Sequence, residues 1–203
     1  MLVLVVQTAQ LAAAPLTKTI QRERAVTFID PPFMTFNLSM LMKRGNRSSQ
    51  IDNMLDLSNQ DVIKYGIVAG GATEFFFSRV NEREEHQEYT GMWYEMDSHW
   101  NRSLLESVEV GVRRVRESDE NEPFAFIGER HMIEYHASRA PCDLVAIPTN
   151  VRYQADYHLA ISRNVDAPTR DLLGDVVLTL KNTGRLDELY NKWWTDRDQC
   201  SQA

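Results

Sequence analysis

Long apolar runs, basic clusters and cysteine are what this sequence has least of. No stretch of its 203 residues approaches the roughly 18 to 20 apolar residues needed to cross a bilayer, so none is expected to span one. No basic cluster is longer than Lys43-Arg44, and the formal net charge is -7. That balance disfavours a nucleic-acid or anionic-membrane surface and leaves a small or peptidic partner as the default. His86, His99, His131, His136 and His158 show no metal spacing such as H-E-x-x-H, and no G-x-S-x-G, P-loop or G-x-G-x-x-G is present. No catalytic residue, bound metal or cofactor is therefore expected, and the chain is not expected to be an enzyme. Only two cysteines occur, Cys142 and Cys200. Reduced, they suit a cytosolic chain; paired, they would close a loop worth roughly 4 kcal/mol in the chain-entropy model. The residues alone leave both states open. The N-terminal MLVLVVQTAQLAAA ends like a signal peptide but has no basic start and too short an apolar core, so a buried helix end or strand is preferred.

What is present is an ordinary globular composition, 43% hydrophobic and 25% charged, enough for one unit or two small lobes with a real core. Leu11 to Ala14 predicts a short buried strand, and Ala25 to Ile29 another that ends at Asp30-Pro31-Pro32. Phe36 to Met42 is apolar at nearly every position, which predicts a strand covered on both faces. The polar, turn-rich Lys43 to Gln50 reads as a linker. Beyond it, Asp52 to Ser58 predicts a helix, Lys64 to Val68 a strand, and Gly70-Gly71 a tight turn into a helix starting near Thr73. Leu104 to Val115 has helical spacing; Phe124 to Ile127, Asp143 to Ile147 and Tyr157 to Ile161 are strand-like; Arg170 to Leu180 and Leu186 to Trp194 flank Gly184 as two closing helices. Strands alternating with helices predict an α/β protein with largely parallel sheets.

Three features point to ligand chemistry. Arg22 lies beside Thr17, Gly71-Ala72-Thr73 opens a helix, and Glu129 ends a strand. A guanidinium grips a carboxylate in a forked way, a helix start with a threonine hydroxyl suits a second carboxylate, and a glutamate pairs with an ammonium. Together they would read an acidic amino acid. Each also has a plainer explanation: Arg22 as solvated loop charge, Thr73 as a simple N-cap, Glu129 as a surface acid. The triplets Asn37-Leu-Ser39, Asn46-Arg-Ser48 and Asn101-Arg-Ser103 are glycosylation sequons, a weak pointer to an exported surface.

The run APLTKTIQRERAV from Ala14, followed by Pro32-Phe33-Met34, resembles a segment of the ionotropic glutamate receptors that precedes their first membrane span. Tyr65-Gly-Ile-Val-Ala-Gly-Gly-Ala72-Thr73-Glu-Phe-Phe is similar to the second ligand-binding segment of the same family. Met92-Trp93, Gly111-Val-Arg-Arg-Val115, Phe124-Ala-Phe-Ile-Gly-Glu129, Pro141-Cys142-Asp143 and Asn191-Lys-Trp-Trp194 with Cys200 follow in the family's order. The resemblance implies a two-lobed clamshell of the type II periplasmic-binding-protein kind. Residues 1-34 plus 157-203 would form part of lobe 1, residues 35-156 would form lobe 2, and a polar junction near 43-50 stands where the family has membrane segments.

By the same resemblance, Arg22 and Thr17 take the α-carboxylate of glutamate with the amide of Ala72, the carbonyl of Pro15 and the carboxylate of Glu129 take the α-ammonium, and Thr73 takes the side-chain carboxylate. Ala72-Thr73 is closer to the kainate-type pair than to the Ser-Thr pair of AMPA and NMDA types. Tyr157 matches a tyrosine that supports the Glu, and Cys142 and Cys200 match the family's disulfide, which implies an extracellular setting at the plasma membrane. The implied partners are L-glutamate or a related amino acid and, as in the family's tetramers, other receptor subunits. Two departures stand out. The first part of the front lobe is not represented, which implies weak binding or none by this chain alone, and Gly128 and His158 replace a larger apolar residue and a glycine. The alternative is a soluble amino-acid-binding module or a non-channel remnant of such a receptor.

Overall fold

The computed structural model describes residues 9–45, 50–82 and 84–201. The N-terminal residues that carried most of the signal-peptide question lie outside them, as does the sequon Asn46-Arg-Ser48 with much of the expected linker. Nine strands are described: β1 Leu11–Thr17, β2 Thr27–Phe28, β3 Met34–Phe36, β4 Leu38–Lys43, β5 Lys64–Val68, β6 Leu104–Leu105, β7 Phe124–Glu129, β8 Leu144–Pro148 and β9 Ala155–Ile161. The α-helices are α1 Ile20–Glu23, α2 Met54–Ser58, α3 Ala72–Phe77, α4 Thr90–Ser98, α5 Trp100–Ser103, α6 Val108–Glu117, α7 Arg130–Ala137, α8 Ala167–Asn182 and α9 Arg185–Tyr190. They divide into two compact units, one reaching to Phe36 and resuming over Gln154–Asp196, the other Asn37–Tyr153 with the segment from Arg197 onward.

The first unit is organised by β9, against which β1, β2 and β3 all run antiparallel. Its small core joins Leu16, Val26, Phe28 and Ala160. β1 carries two extra residues between its Ala12 and Leu16 pairings, a bulge that contains Pro15. Proline cannot donate to a ladder and is tolerated at such an irregularity. The strand was expected to be buried, but Leu11, Ala13 and Pro15 are exposed and only Leu16 and Thr17 are buried. His158 is buried opposite Leu16, with Nδ1 at 3.0 Å from the Ile29 carbonyl and its ring edge-on to Phe28.

In the second unit the strand order is β6-β5-β7-β4-β8. β4 is buried from Leu38 to Met42, as a doubly covered strand requires. Alternate side chains feed opposite clusters: Leu38, Met40 and Met42 join one, Leu41 the other, and on β7 Ala125 and Ile127 oppose Phe124 and Phe126 in the same way. This is the period of two of a pleated strand. Helices α2, α3 and α4 cover the first cluster through Met54, Phe76, Phe77, Met92 and Met96; α6 and α7 cover the second through Val112, Val115 and Ile133.

The expectation of largely parallel sheets is wrong. β5 is parallel to β6 and β7, but β4 is antiparallel to both β7 and β8, and the first unit's sheet is antiparallel. The strand–helix–strand unit β7-α7-β8 does bring back a strand in the same direction, as its connection dictates. β4, contributed from far earlier in the chain, lies between those two strands and runs the other way. Leu104-Leu105 is strand rather than helix, because the helix starts only after Ser107, whose hydroxyl accepts from Val110 N. The tail from Arg197 belongs to the second unit rather than with 157-196. A Cys142–Cys200 disulfide, Cα atoms 5.3 Å apart, ties it there, with Gln199 N donating to the Ser138 carbonyl.

Gly111 lets α6 lie directly on the sheet: a Cβ built there would come within 2.6 Å of the Phe126 ring. Gly111→Ala gains roughly 1 kcal/mol of helix propensity but overpacks a fully buried ring, so a net loss of about 1–2 kcal/mol is expected, read as a lowered urea midpoint with unchanged slope. Tyr65 offers a second check. Burial, with the nearby Glu95 carboxylate, pushes its phenol from 10.0 up to about 12. Its contribution to stability is therefore complete below pH 10 and lost as the pH rises from about 10 to about 12. Tyr65→Phe should flatten the alkaline limb of the stability profile over that interval.

Candidate ligand-binding site

In the first unit the site begins with a cap. Thr19 stands in extended backbone and its hydroxyl accepts from Arg22 N at 3.3 Å, which starts the single turn of α1. That turn fixes the Arg22 backbone, and its Nη1 donates to the Thr17 carbonyl at 3.0 Å. The two local acids are taken elsewhere: Lys18 Nζ lies 3.7 Å from Glu23 and 3.4 Å from Asp30. Among the described residues no carboxylate is within ion-pair distance of Arg22. A half-buried guanidinium with most of its five N–H donors uncommitted to an acid is suited to a bound carboxylate.

Beside it, the Thr17 hydroxyl is buried and has no hydrogen-bond partner among the described residues, a cost that a ligand oxygen would remove. Pro15 lies two residues away in the exposed bulge, where the ladder is interrupted. Tyr157 on β9 pairs with Thr17 on one side and Met34 on the other, and its ring stacks on Phe36 at 4.4 Å and on Phe33 at 6.1 Å. The structure thus groups four of the sequence-predicted residues, Pro15, Thr17, Arg22 and Tyr157, in one unit.

Ala72, Thr73 and Glu129 belong to the second unit. Gly70, at φ +70, makes the left-handed turn after β5, and Gly71 serves as N-cap of α3 without a side-chain cap. The Glu74 carboxylate accepts from Gly70 N and closes that turn. Ala72 and Thr73, the first two residues of α3, are buried, at a helix start whose first-turn amides have no side-chain acceptor. Glu129 ends β7 opposite Leu38 and serves as N-cap of α7, while the next amide, Arg130 N, donates to the Asn37 carbonyl at 2.8 Å. A β-carbon at Gly128 would meet Ile133 Cδ1 at 3.4 Å, ordinary contact. Sequence reasoning missed Lys18 and Glu74, which free the arginine and shape the turn; the i, i+5 spacing of Lys18 and Glu23 was the only local signal for the first.

A comparison with family models matches none. The relatives are more informative. The chain is 32% identical over 168 residues to a glutamate receptor of Lymnaea stagnalis and 33% identical over 169 residues to human (Homo sapiens) Glutamate receptor 3. Each alignment covers 83% of this chain, which spans only 17 and 18% of the length of those curated relatives. Among solved structures, the Drosophila muscle GluRIIB complex with glutamate superposes with a TM-score of 0.79 at 30% identity, over 95% of this chain and 71% of that one. The fold is that of a glutamate-receptor ligand-binding region, a family of receptors rather than enzymes. The chain belongs to the ionotropic glutamate receptor family.

The unpartnered Thr17 hydroxyl gives a test that needs no ligand. Thr17→Val keeps the shape of a strand residue and removes a buried polar group, so the unliganded chain should be as stable as before or gain up to about 1 kcal/mol in chemical unfolding. A loss of more than 1 kcal/mol would mean that the hydroxyl is satisfied within the fold.

Proposed function

We propose that this chain is the ligand-binding region of a glutamate-gated cation channel and that it binds L-glutamate or a related acidic amino acid. The observation that carries the reading is Arg22, anchored by the Thr17 carbonyl and, among the described residues, left without an acidic partner while Lys18 occupies Glu23 and Asp30. The first unit supplies recognition of the α-carboxylate through Arg22 and Thr17, with the Pro15 carbonyl accepting from the α-ammonium. The second unit supplies Glu129 for the ammonium, the Ala72 amide for the α-carboxylate and Thr73 for the side-chain carboxylate. Tyr157, stacked on Phe36, is the supporting tyrosine of the set. The similar structure solved in complex with glutamate supports this choice of ligand. Assembly with other subunits, and a position on the extracellular side of the plasma membrane, belong to the same reading and rest on the family; among the described residues no helix is long and apolar enough to cross a membrane.

The test is a titration of the isotope-labelled chain with L-glutamate followed by amide NMR. Shifts are expected at Thr17 and Arg22 in the millimolar range. Arg22→Lys keeps the charge but loses the fork, which costs about 1.5–3 kcal/mol for a charge-assisted pair, equivalent to roughly 10- to 150-fold in Kd. Unchanged affinity in Arg22→Lys would overturn the proposal.

A further inference from the structure

Of the three sequons in the sequence, one is carried on a fixed turn of helix with its asparagine outward. Asn101-Arg102-Ser103 lies in α5, the single turn between α4 and the short strand β6. Asn101 is exposed, and among the described residues its side-chain amide has no hydrogen-bond partner. Its neighbours are engaged. Arg102 Nη2 lies 3.1 Å from Glu95 Oε1, the Arg102 carbonyl accepts from Arg114 Nη1, and Ser103 is only 3% exposed. β5 runs so close to the turn that a β-carbon at Gly66 would come within 2.5 Å of the Ser103 carbonyl oxygen. The fold thus uses the second and third residues of the triplet and leaves the first free. Asn37, the acceptor of the other described sequon, stands at a strand junction instead, its carbonyl accepting from Arg130 N and the next residue, Leu38, paired with Glu129.

We propose that Asn101 is an N-glycosylation acceptor, taking the oligosaccharide of a polyprenyl-diphosphate donor in the secretory lumen. The proposal rests on the extracellular placement put forward above, since only chain that enters that compartment meets the transferase. Asn-x-Ser with x other than proline is the acceptor signature, and Arg102 meets it. In the transfer, Asn101 Nδ2 attacks C1 of the first sugar. The C1–O bond to the diphosphate breaks and its electron pair leaves with the diphosphate, an N–C1 bond forms, and one amide proton is released; nothing is oxidised or reduced. The transferase reads the serine hydroxyl together with the asparagine amide, and Ser103 is buried once the chain has folded. Transfer therefore precedes the docking of α5 on β5.

The position suits a bulky, hydrated group. β6 is the edge of the five-stranded sheet, and Trp100, next to the acceptor, is 66% exposed. An open sheet edge is a template for pairing with another chain. A glycan three residues before Leu104 stands beside that edge and beside the exposed indole, and keeps both from a second copy.

The experiment translates the full chain, behind a cleavable secretory signal, in the presence of microsomes, and protease protection reports which molecules are in the lumen. Forced entry separates the acceptor from the location: a protected chain tests Asn101 whatever the natural destination of the protein. With Asn37→Gln and Asn46→Gln removing the other two sequons, the protected chain should run as one heavier band that an endoglycosidase collapses. Adding Asn101→Gln or Ser103→Ala should abolish that band. In the otherwise unsubstituted chain Asn101→Gln should remove one glycan, a readout independent of how the Asn37→Gln variant folds. A band pattern that Asn101→Gln leaves unaltered in either background would overturn the proposal.

Discussion

Double-sided burial of β4 is the constraint on which the second unit depends. A strand with both faces covered must be apolar throughout, and Leu38 to Met42 meets that demand with one exception, Ser39, whose hydroxyl is satisfied by the Ile147 carbonyl at 2.8 Å. Because β4 separates β7 from β8, the pairing that fills the two clusters also fixes where β7 ends, and Glu129 stands at that end opposite Leu38. At the other end of β4, Lys43 Nζ donates to the carbonyls of Arg116 and Ser118, both at 2.9 Å, and so caps the C-terminus of α6. One strand therefore sets the position of Glu129 and closes the helix that carries Arg114.

The first unit works by subtraction. Arg22 has two acids within a few residues of the turn it sits on, and either could neutralise it. Lys18 prevents this: placed one residue after Thr17, it collects Glu23 and Asp30 at 3.7 and 3.4 Å. Exposed pairs of this kind contribute little to stability, about 0–1 kcal/mol each. Their consequence is electrostatic: among the described residues, they leave the Arg22 guanidinium without a carboxylate at ion-pair distance. The Thr17 carbonyl then acts as a tether, holding the fork without cancelling its charge.

Much of this was legible in sequence, for identifiable reasons. Lys64 to Val68 was read with the bounds that the structure has: its middle, Tyr65 to Ile67, is buried, and the Gly70-Gly71 turn marks where it stops. The turn at Gly70-Gly71 was legible because no other residue takes a left-handed φ so readily. What failed was non-local. The direction of β4 relative to its neighbours is set by pairing across more than eighty positions of chain, about which hydrophobic periodicity says nothing. Helices α4 and α7 went unread because neither has a side-chain N-cap and their apolar faces are short; α4 is fixed by burying Met92 and Met96, α7 by burying Ile133. The site residues came from motif resemblance, whereas the role of Lys18 required coordinates.

Arg22 and Arg114 show why a guanidinium alone does not identify a site. Both donate to a backbone carbonyl and neither has an acid at ion-pair distance among the described residues, yet their surroundings differ. Arg22 lies beside a buried hydroxyl that has no partner among the described residues, and the neighbouring Lys18 is already paired. Arg114 lies against an aromatic face in a cavity lined also by Arg102 and Lys64 and by Glu117, Asp119 and Glu122, so that its acids match its cations in number. The same residue type therefore stands in two electrostatic settings in one chain, and the neighbours, not the arginine, make the distinction.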